Sequence, residues 1–334
     1  MNDLYLNMPV GDYYGWAICG KNLLFELSKM ASLKYVEDKY EMAYRDEKTT
    51  KIVAEHKVTL SGNVDSPFIY SLANDTFTPG TPYRGTKNIG YVFYEYEKIP
   101  NADVETLNQM DVIVGGSTWN KEILEINGVK NATSIPQGVD RSIFFPAKRE
   151  TDDKFVIFSC GKFEPRKAQD IIIDAVSIMQ KKYHDIYLVA CWDNIFDYNM
   201  FESGTRAAMM KLNPDRTSIH SLVLQDNLAK LMRETDVGLF PNRVEGGTNL
   251  ALMEYLSCGR PVVANYSTGQ ADVLSSDYAF MMDGSNLLDD SVSLLEAAYK
   301  NRNRLSGMGE KADAAMEAFT WDKTAKKFLE LCNG

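Results

Sequence analysis

The feature that most constrains this chain is the regular alternation of short apolar runs with amphipathic helical patterns in its second half. The run Phe155 to Ser159 precedes a segment that places Ile172, Ala175, Val176 and Met179 on one helical face. Further strand-like and helical patterns follow in turn at residues 186–191, 228–232, 237–240, 250–256 and 261–264. Such alternation predicts a parallel sheet covered by helices, with the chemistry in the loops.

The first half is less regular but similar in kind. Strand-like apolar runs lie at residues 4–8, 68–72, 88–94 and 111–115, which again favours an α/β fold. Residues 32–66 are charged and weakly periodic, so a small hairpin and a partly mobile loop both stay open there.

Length and local composition predict where the chain divides. A chain of 334 residues exceeds the size at which a single hydrophobic core stops growing, so we expect two domains. Residues 146–154 are rich in charge and poor in apolar side chains, which is typical of a linker. We therefore predict one domain over residues 1–148 and a second that begins at residue 149.

Charge and hydropathy narrow the classes of partner. The net charge is −10, and both halves are acidic: residues 1–150 carry 16 basic and 20 acidic side chains. Binding to nucleic acid or to an anionic membrane requires a basic face, so both are disfavoured unless a basic cleft is hidden in the total. No apolar run reaches the roughly 18 residues of a membrane span, and the N-terminus lacks an export signal. We expect a cytoplasmic protein whose five cysteines stay reduced.

The most informative segment runs from Glu245 to Glu254, between a predicted strand and a predicted helix. It contains the pair Gly246-Gly247 just before the helix. Backbone N–H groups at a helix start are unpaired, and glycine lets a ligand approach them, so a phosphate fits there. The two glutamates add acceptors for hydroxyl groups. The competing interpretation is a glycine-rich turn with a surface Glu245 and a helical Glu254.

A second loop, residues 161–167, leaves the strand at Phe155 to Ser159 with the same polarity. It carries Lys162, Arg166 and Lys167. Cations beside an open helix start suit a departing diphosphate, because negative charge builds on its oxygens as the bond breaks. Taken alone, such a cluster is also typical of a solvated surface.

Together the two loops resemble the retaining GT-B glycosyltransferases, the group that includes bacterial glycogen synthases and phosphatidylinositol mannosyltransferases. The segment Pro136 to Asp140, followed by Phe145-Pro146, resembles the Pro-x-Gly-Val-Asp signature of that group. Ser117 to Asn120 resembles its Ser-x-Trp/Phe helix start, and Phe319 to Trp321 resembles the entry to its C-terminal helix. The resemblance implies two facing Rossmann-like domains, an acceptor-side domain and then a donor domain over residues 149–318. A helix over 319–334 is expected to return to the first domain.

The resemblance also implies roles for individual residues. Lys167 and Lys162 match the positions that contact the donor diphosphate; the family usually has Arg where Lys162 stands, and Arg166 lies close enough to share that contact. Glu245 matches the glutamate that faces the donor sugar. Glu254 matches the one that accepts hydrogen bonds from the ribose hydroxyls.

The glycine-rich segment between these glutamates is expected to bind the donor through its backbone. The N–H groups of Gly247, Thr248, Asn249 and Leu250, next to Gly246, are implied to face phosphate and sugar. The family usually separates its two glutamates by seven residues, whereas eight intervene here.

In the first domain, the family places a glycine-rich loop beside the donor phosphates, and Gly15 and Trp16 are the matching candidates. A competing interpretation is a nucleoside triphosphatase P-loop, because Gly15, Gly20 and Lys21 have nearly its spacing. The Ser or Thr that would follow is missing, since Asn22 stands there.

Glu95 is the remaining catalytic candidate. It lies in an aromatic-rich segment that resembles a subgroup of the family, where it would contact the sugar or accept the acceptor's proton. The alternative is a solvated strand end. No two aspartates are separated by a single residue, so the Asp-x-Asp metal clamp is absent and we expect no metal and no cofactor.

We therefore predict a retaining, metal-independent glycosyltransferase that moves a hexosyl or pentosyl group from a nucleoside-diphosphate sugar, with UDP favoured. The acceptor is expected to be a hydroxyl of a saccharide, a glycoconjugate or another polymer. Three alternatives stay open: a non-catalytic nucleotide-sugar-binding or scaffold protein of the same fold, a sugar epimerase or phosphorylase of the same two-domain shape, and a P-loop-type nucleoside triphosphatase.

Overall fold

A computed structural model describes residues 3–38, 45–73, 76–150, 153–194 and 206–334. The chain forms two compact units. The first unit comprises Met1–Gly138, Gly246–Thr248 and Phe319–Gly334, and the second comprises Val139–Glu245 and Asn249–Ala318. Across the described ranges no helix has the length and apolar character needed to cross a bilayer.

The first unit is built on a parallel sheet with the strand order β3-β2-β1-β4-β5-β6-β7. Helices connect β1 to β2, β2 to β3, β5 to β6 and β6 to β7, as is usual for parallel strands. Its strands are β1 (Asp3–Asn7), β2 (Ser32–Val36), β3 (Lys57–Val58), β4 (Phe68–Ser71), β5 (Asn88–Val92), β6 (Val112–Gly115) and β7 (Ala132–Ser134). Its helices are α1 (Gly15–Met30), α2 (Glu47–His56), α3 (Asn101–Leu107) and α4 (Thr118–Ile126).

The second unit has a parallel sheet of order β10-β9-β8-β11-β12-β13. Its strands are β8 (Phe155–Lys162), β9 (Ile186–Asp193), β10 (Thr217–His220), β11 (Val237–Phe240), β12 (Val262–Asn265) and β13 (Ala279–Met282). Its helices are α5 (Gln169–Lys182), α6 (Gln225–Arg233), α7 (Leu250–Ser257), α8 (Leu287–Lys300) and α9 (Leu305–Met316). The strands and helices predicted from apolar patterns are confirmed, with small shifts at their ends.

Residues 32–66 form a further strand-helix-strand unit. Strand β2 is followed by α2 and then by β3, which pairs with β2 in parallel at Tyr35↔Lys57 and Val36↔Val58. A hairpin requires antiparallel strands, so that interpretation was wrong. The charges that weakened the pattern lie on α2, where only Thr49 and Val53 are buried. Residues 39–44 lie outside the described part of the chain.

In the sequence, the first unit gives way to the second between Gly138 and Val139, ahead of the predicted linker at residues 146–154. Arginines of the second unit hold the backbone that precedes β8. Arg233 Nη1 donates to the carbonyl of Ile143 at 3.0 Å, and Arg260 Nη2 donates to that of Ala147 at 2.9 Å. Arg149 pairs with Asp236 at 2.6 Å. These bonds hold the segment before β8 within the second unit.

The C-terminal helix α10 (Trp321–Asn333) belongs to the first unit and packs on α1. Thr324 Oγ1 donates to the carbonyl of Pro136 at 3.0 Å, and the rings of Phe328 and Tyr91 meet edge to face at 5.0 Å. Gly138 allows this close packing, because a Cβ there would lie 2.3 Å from the Trp321 backbone nitrogen. The last helix therefore returns to the first unit, as predicted.

Candidate functional site

The strand order of the second unit creates one position that favours a ligand. The chain runs outward from β8 through β9 to β10, and then resumes on the other side of β8 at β11. The loops after β8 and β11 therefore leave the sheet in opposite directions and open a crevice at its carboxyl edge. Both motif loops identified in the sequence are these two loops.

The end of β8 and the loop that follows it pack around Lys167. Gly161 has a φ of +151°, and a Cβ at this position would lie 3.3 Å from Lys167 Cδ. A single 3₁₀ turn, Pro165–Lys167, follows, and Ala168 has a left-handed φ of 56° before α5 begins. Ala168 is fully buried, so packing holds a conformation that a non-glycine residue seldom adopts.

Glu245, in the loop after β11, is the centre of the site. It is 5% exposed, and its carboxylate accepts hydrogen bonds from Lys167 Nζ at 2.5 Å and from Arg166 Nη1 at 2.9 Å. Asn242 Nδ2 donates to the same oxygen as Lys167. Burial acts to raise the pKa of the Glu245 carboxyl, but the attraction of Lys167 and Arg166 and the hydrogen bonds outweigh it and lower that pKa. Glu245 is therefore ionised at neutral pH.

The predicted cations form one continuous chain of ion pairs. Lys162 Nζ lies 2.9 Å from a Glu164 oxygen, and Arg166 Nη2 lies 2.5 Å from the other. Arg166 then meets Glu245, which also binds Lys167. Three cations thus share two carboxylates, an excess of one positive charge within this chain of ion pairs. A wholly solvated cluster was the competing interpretation, but Lys167 is only 9% exposed.

The sequence analysis missed the buried amides that support Glu245. Gln270 Nε2 donates to the carbonyl of Asn265 at 2.5 Å, and Asn265 Nδ2 donates to that of Asn242 at 2.9 Å. Asn249 Nδ2 donates to Gln270 Oε1 at 3.3 Å. All four side chains are at most 4% exposed. One usable signal was the proximity of Asn242 to Glu245 in the sequence.

The loop after β12 also holds the Glu245 backbone. Thr268 Oγ1 accepts a hydrogen bond from the Glu245 N–H at 3.0 Å, and the Gly269 N–H donates to the Glu245 carbonyl at 2.9 Å. Thr268 has a φ of 52°. Residues from three loops therefore fix the position of one carboxylate.

Helix α7 begins at Leu250, directly after Asn249, whose φ is 62°. The left-handed residue turns the chain into the helix, and Asn249 Oδ1 is buried without a hydrogen-bond partner among the described residues. Glu254 lies one turn into α7, is 3% exposed and accepts a hydrogen bond from Gln225 Nε2 at 3.0 Å. Gln225 is the first residue of α6 and was not predicted.

The middle of the motif packs as part of the first unit. Ser117 Oγ, the N-cap of α4, donates to the Gly246 carbonyl at 2.7 Å. A Cβ on Gly246 would lie 2.4 Å from the Tyr94 carbonyl oxygen, and one on Gly247 would lie 2.7 Å from the Phe93 ring. Thr248 is fully buried. These glycines permit close backbone packing, and their predicted contact with phosphate stays a prediction.

Gly15 and Trp16 form the first turn of α1 in the first unit. The Trp16 ring packs edge to face on Phe93, with centroids 4.5 Å apart. Gly20 and Lys21 lie inside the same helix. A P-loop needs the residues from Gly15 to Gly20 as a loop that wraps the phosphate, so this segment does not form one.

Glu95 lies in the loop that follows β5 and is partly exposed. The neighbouring Tyr94 is fixed by Asn120, whose side chain accepts from its N–H at 3.2 Å and donates to its carbonyl at 2.9 Å. The predicted role of Glu95, like that of Gly15 and Trp16, stays a prediction.

Comparison with known proteins bears directly on the second unit. Residues 154–299 match the family described as Glycosyl transferases group 1. The match covers β8 to α8 and includes Lys162, Arg166, Lys167 and Glu245. It confirms the resemblance inferred from the motifs.

One relative is the GDP-mannose-dependent alpha-(1-6)-phosphatidylinositol dimannoside mannosyltransferase of Mycobacterium tuberculosis. It is 24% identical over 238 residues, which cover 68% of this chain and 59% of that protein. The chain spans 56% to 59% of the length of the first curated relatives that it matches.

Two solved structures share the fold over almost the whole chain. Sucrose-phosphate synthase from Thermosynechococcus elongatus has a TM-score of 0.74 at 13% identity, covering 99% of this chain and 98% of that one. Anabaena HepE in complex with UDP and glucose has a TM-score of 0.72 at 12% identity, covering 100% of both chains. The predicted GT-B fold is confirmed.

Proposed function

We propose that this protein is a retaining glycosyltransferase that uses a nucleoside-diphosphate sugar, with UDP as the favoured nucleotide. It moves a hexosyl or pentosyl group to a hydroxyl of a saccharide, a glycoconjugate or another polymer. The observation that carries the proposal is the chain of three cations and two carboxylates at the crevice between β8 and β11.

The chemistry assigned to the cations is stabilisation of the leaving group. In glycosyl transfer the bond between the sugar C1 and the diphosphate oxygen breaks, and its electron pair stays on the diphosphate. Lys167 and Arg166 are held by Glu245, so little reorganisation is needed before they face the new charge. Lys162, which pairs with Glu164 at one end of this chain of ion pairs, supplies the third positive charge.

Glu245 is proposed to hold these cations and to accept hydrogen bonds from the donor sugar. Its lowered pKa keeps it an acceptor at neutral pH. Glu254 is proposed to accept from the ribose hydroxyls, and the backbone N–H groups at the start of α7 to bind phosphate. In the first unit, Glu95 is proposed to contact the sugar or to take the proton that the acceptor hydroxyl loses when the new bond to C1 forms.

The similar proteins are associated with two different nucleotides. The mycobacterial relative is named for GDP-mannose, whereas HepE was solved with UDP. We propose UDP, and we propose that no metal ion is required because three cations already face the diphosphate.

The test is calorimetric titration of the protein with UDP, GDP and ADP, with and without EDTA, followed by measurement of UDP-sugar hydrolysis. We expect one diphosphate to bind equally with and without EDTA, and its sugar donor to be slowly hydrolysed. Loss of binding in EDTA would contradict the metal-independent part. Binding without hydrolysis or transfer would favour the non-catalytic alternative, and failure of every diphosphate to bind would overturn the proposal.

Lys167→Ala locates the site within the second unit. We expect diphosphate affinity to fall by about tenfold or more, because a charge-assisted contact in a buried site is lost. Lys182→Ala is the matched control, since it removes the same group from an exposed pair with Glu296 and should leave affinity unchanged. Equal affinity in the two variants would place the nucleotide elsewhere.

A further inference from the structure

One loop of the first unit presents an aromatic ring to solvent in a fixed position. The loop follows β5 and contains Tyr96, which is 67% exposed. A single exposed aromatic side chain is common on protein surfaces, but one on a backbone held at both ends offers a preformed apolar contact surface. The same loop packs near Gly246, since a Cβ there would lie 2.4 Å from the Tyr94 carbonyl oxygen.

Two asparagines of α4 fix the backbone on both sides of Tyr96. Asn120 binds the N–H and the carbonyl of Tyr94, as described above. Asn127, the C-cap of α4, donates from Nδ2 to the Glu97 carbonyl at 2.9 Å and accepts from the Ile99 N–H at 3.0 Å. The loop is thus tied to one helix at both ends.

The Tyr96 ring is also supported from within the loop. Its centroid lies 5.6 Å from that of Tyr94, and the Tyr94 hydroxyl donates to the Lys98 carbonyl at 2.5 Å. These contacts restrict the ring without covering it. A binding surface held in this way loses little conformational entropy when a ligand arrives.

The acidic residues next to Tyr96 in the chain favour a ligand that carries hydroxyl groups. Tyr96 stands between Glu95 and Glu97, with Lys98 next along the loop. Carboxylates accept hydrogen bonds from hydroxyl groups, and an aromatic face packs against the apolar face of a sugar ring. A nucleic acid or another polyanion would be repelled by the two carboxylates.

We propose that Tyr96 is a stacking platform for a sugar ring of the acceptor, with Glu95 and Glu97 as acceptors for its hydroxyl groups. This inference rests on the proposed glycosyltransferase function and narrows its acceptor to a saccharide or to the saccharide portion of a glycoconjugate. Asn120 and Asn127 are positioning residues that hold the platform.

The test is saturation-transfer NMR of the whole protein with four neutral probes: maltotriose, cellotriose, chitotriose and mannotriose. We expect at least one probe to receive magnetisation at its ring protons. Tyr96→Ala should weaken binding of that probe about tenfold, whereas Tyr96→Phe and Tyr96→Trp should keep it, because they retain an aromatic face. Asn127→Ala should weaken probe binding by less than Tyr96→Ala does, although Tyr96 is still present.

Two controls separate the outcomes. Met210→Ala removes a 90% exposed apolar side chain of the second unit and should leave probe binding unchanged. UDP titration of each variant reports on the proposed function independently of the platform. Failure of all four probes to bind the wild-type protein, or equal binding by Tyr96→Ala, would overturn the platform even if UDP binds. Failure of every diphosphate would instead overturn the glycosyltransferase proposal.

Discussion

The two sheets share the same strand order over six strands, yet the loops at their carboxyl edges carry different charges. In the first unit, Lys21 of α1 pairs with Asp12 at 3.1 Å, and Asp12 also accepts from Thr49 Oγ1 at 3.2 Å and from the Asp46 N–H at 2.6 Å. One cation thus meets a carboxylate that other donors also satisfy. In the second unit, three cations share two carboxylates.

This difference shows that the strand order supplies a crevice and the side chains decide its ligand. Both crevices follow from the reversal of strand order beside the first strand of each sheet. Among the described residues, the crevice of the second unit combines a chain of ion pairs with one excess positive charge and a buried network of amides. Variants that remove the same type of residue at each sheet edge test this difference.

The largest effect is expected when each buried lysine is removed in turn. Lys21→Ala and Lys167→Ala each leave a buried carboxylate with one partner fewer, so each should lower the free energy of unfolding by about 3 kcal/mol. Urea unfolding measures this loss. Diphosphate affinity should fall only in Lys167→Ala, and a similar fall in Lys21→Ala would show that the first edge also binds the nucleotide.

Gln270→Ala tests the amide network of the second unit. The Asn265 carbonyl and Asn249 Nδ2 would each lose a buried hydrogen bond, so the free energy of unfolding should fall by about 2 kcal/mol. Diphosphate affinity should also fall severalfold, because Asn249 is the N-cap of the helix that is proposed to bind phosphate. Unchanged affinity alongside the lost stability would make the network purely structural.

Acid pH should separate Glu245→Gln from the wild type in a predictable direction. The folded pKa of Glu245 lies below its usual value, so its ionised form stabilises the fold above about pH 4.3. That stabilisation is lost as the pH falls through the folded pKa. Glu245→Gln should therefore be less stable than the wild type at pH 7, and the gap should shrink in acid. A stability difference that does not change with pH would show that the charge of Glu245 does not stabilise the fold.

Gly161→Ala is expected to have the smallest effect. A side chain there would adopt a strained φ and press on Lys167 Cδ from 3.3 Å, at a cost of about 1 kcal/mol. Diphosphate affinity should fall about threefold, by calorimetry, because Lys167 is displaced rather than removed. A loss as large as that of Lys167→Ala would mean that the loop itself, not the lysine, makes the contact.

The sequence by itself determined the fold class and the two loops that form the candidate site. Short apolar runs separated by helical patterns leave few arrangements other than parallel sheets, because parallel strands need crossover helices. Lys162 at the end of β8, Arg166 and Lys167 after it, and Glu245 after β11 were placed at one sheet edge for the same reason. Each of these inferences depends on local sequence.

Only the tertiary structure decided which side chains meet. Glu245 is bonded by Lys167, 78 positions earlier, and its backbone by Thr268, 23 positions later. Gln270 and Asn265 carry no motif, since an amide becomes informative only when burial forces it to find a partner. The parallel pairing of β2 with β3 was hidden because α2 buries only two of its side chains. These features depend on contacts between residues far apart in the chain, which periodicity and spacing cannot encode.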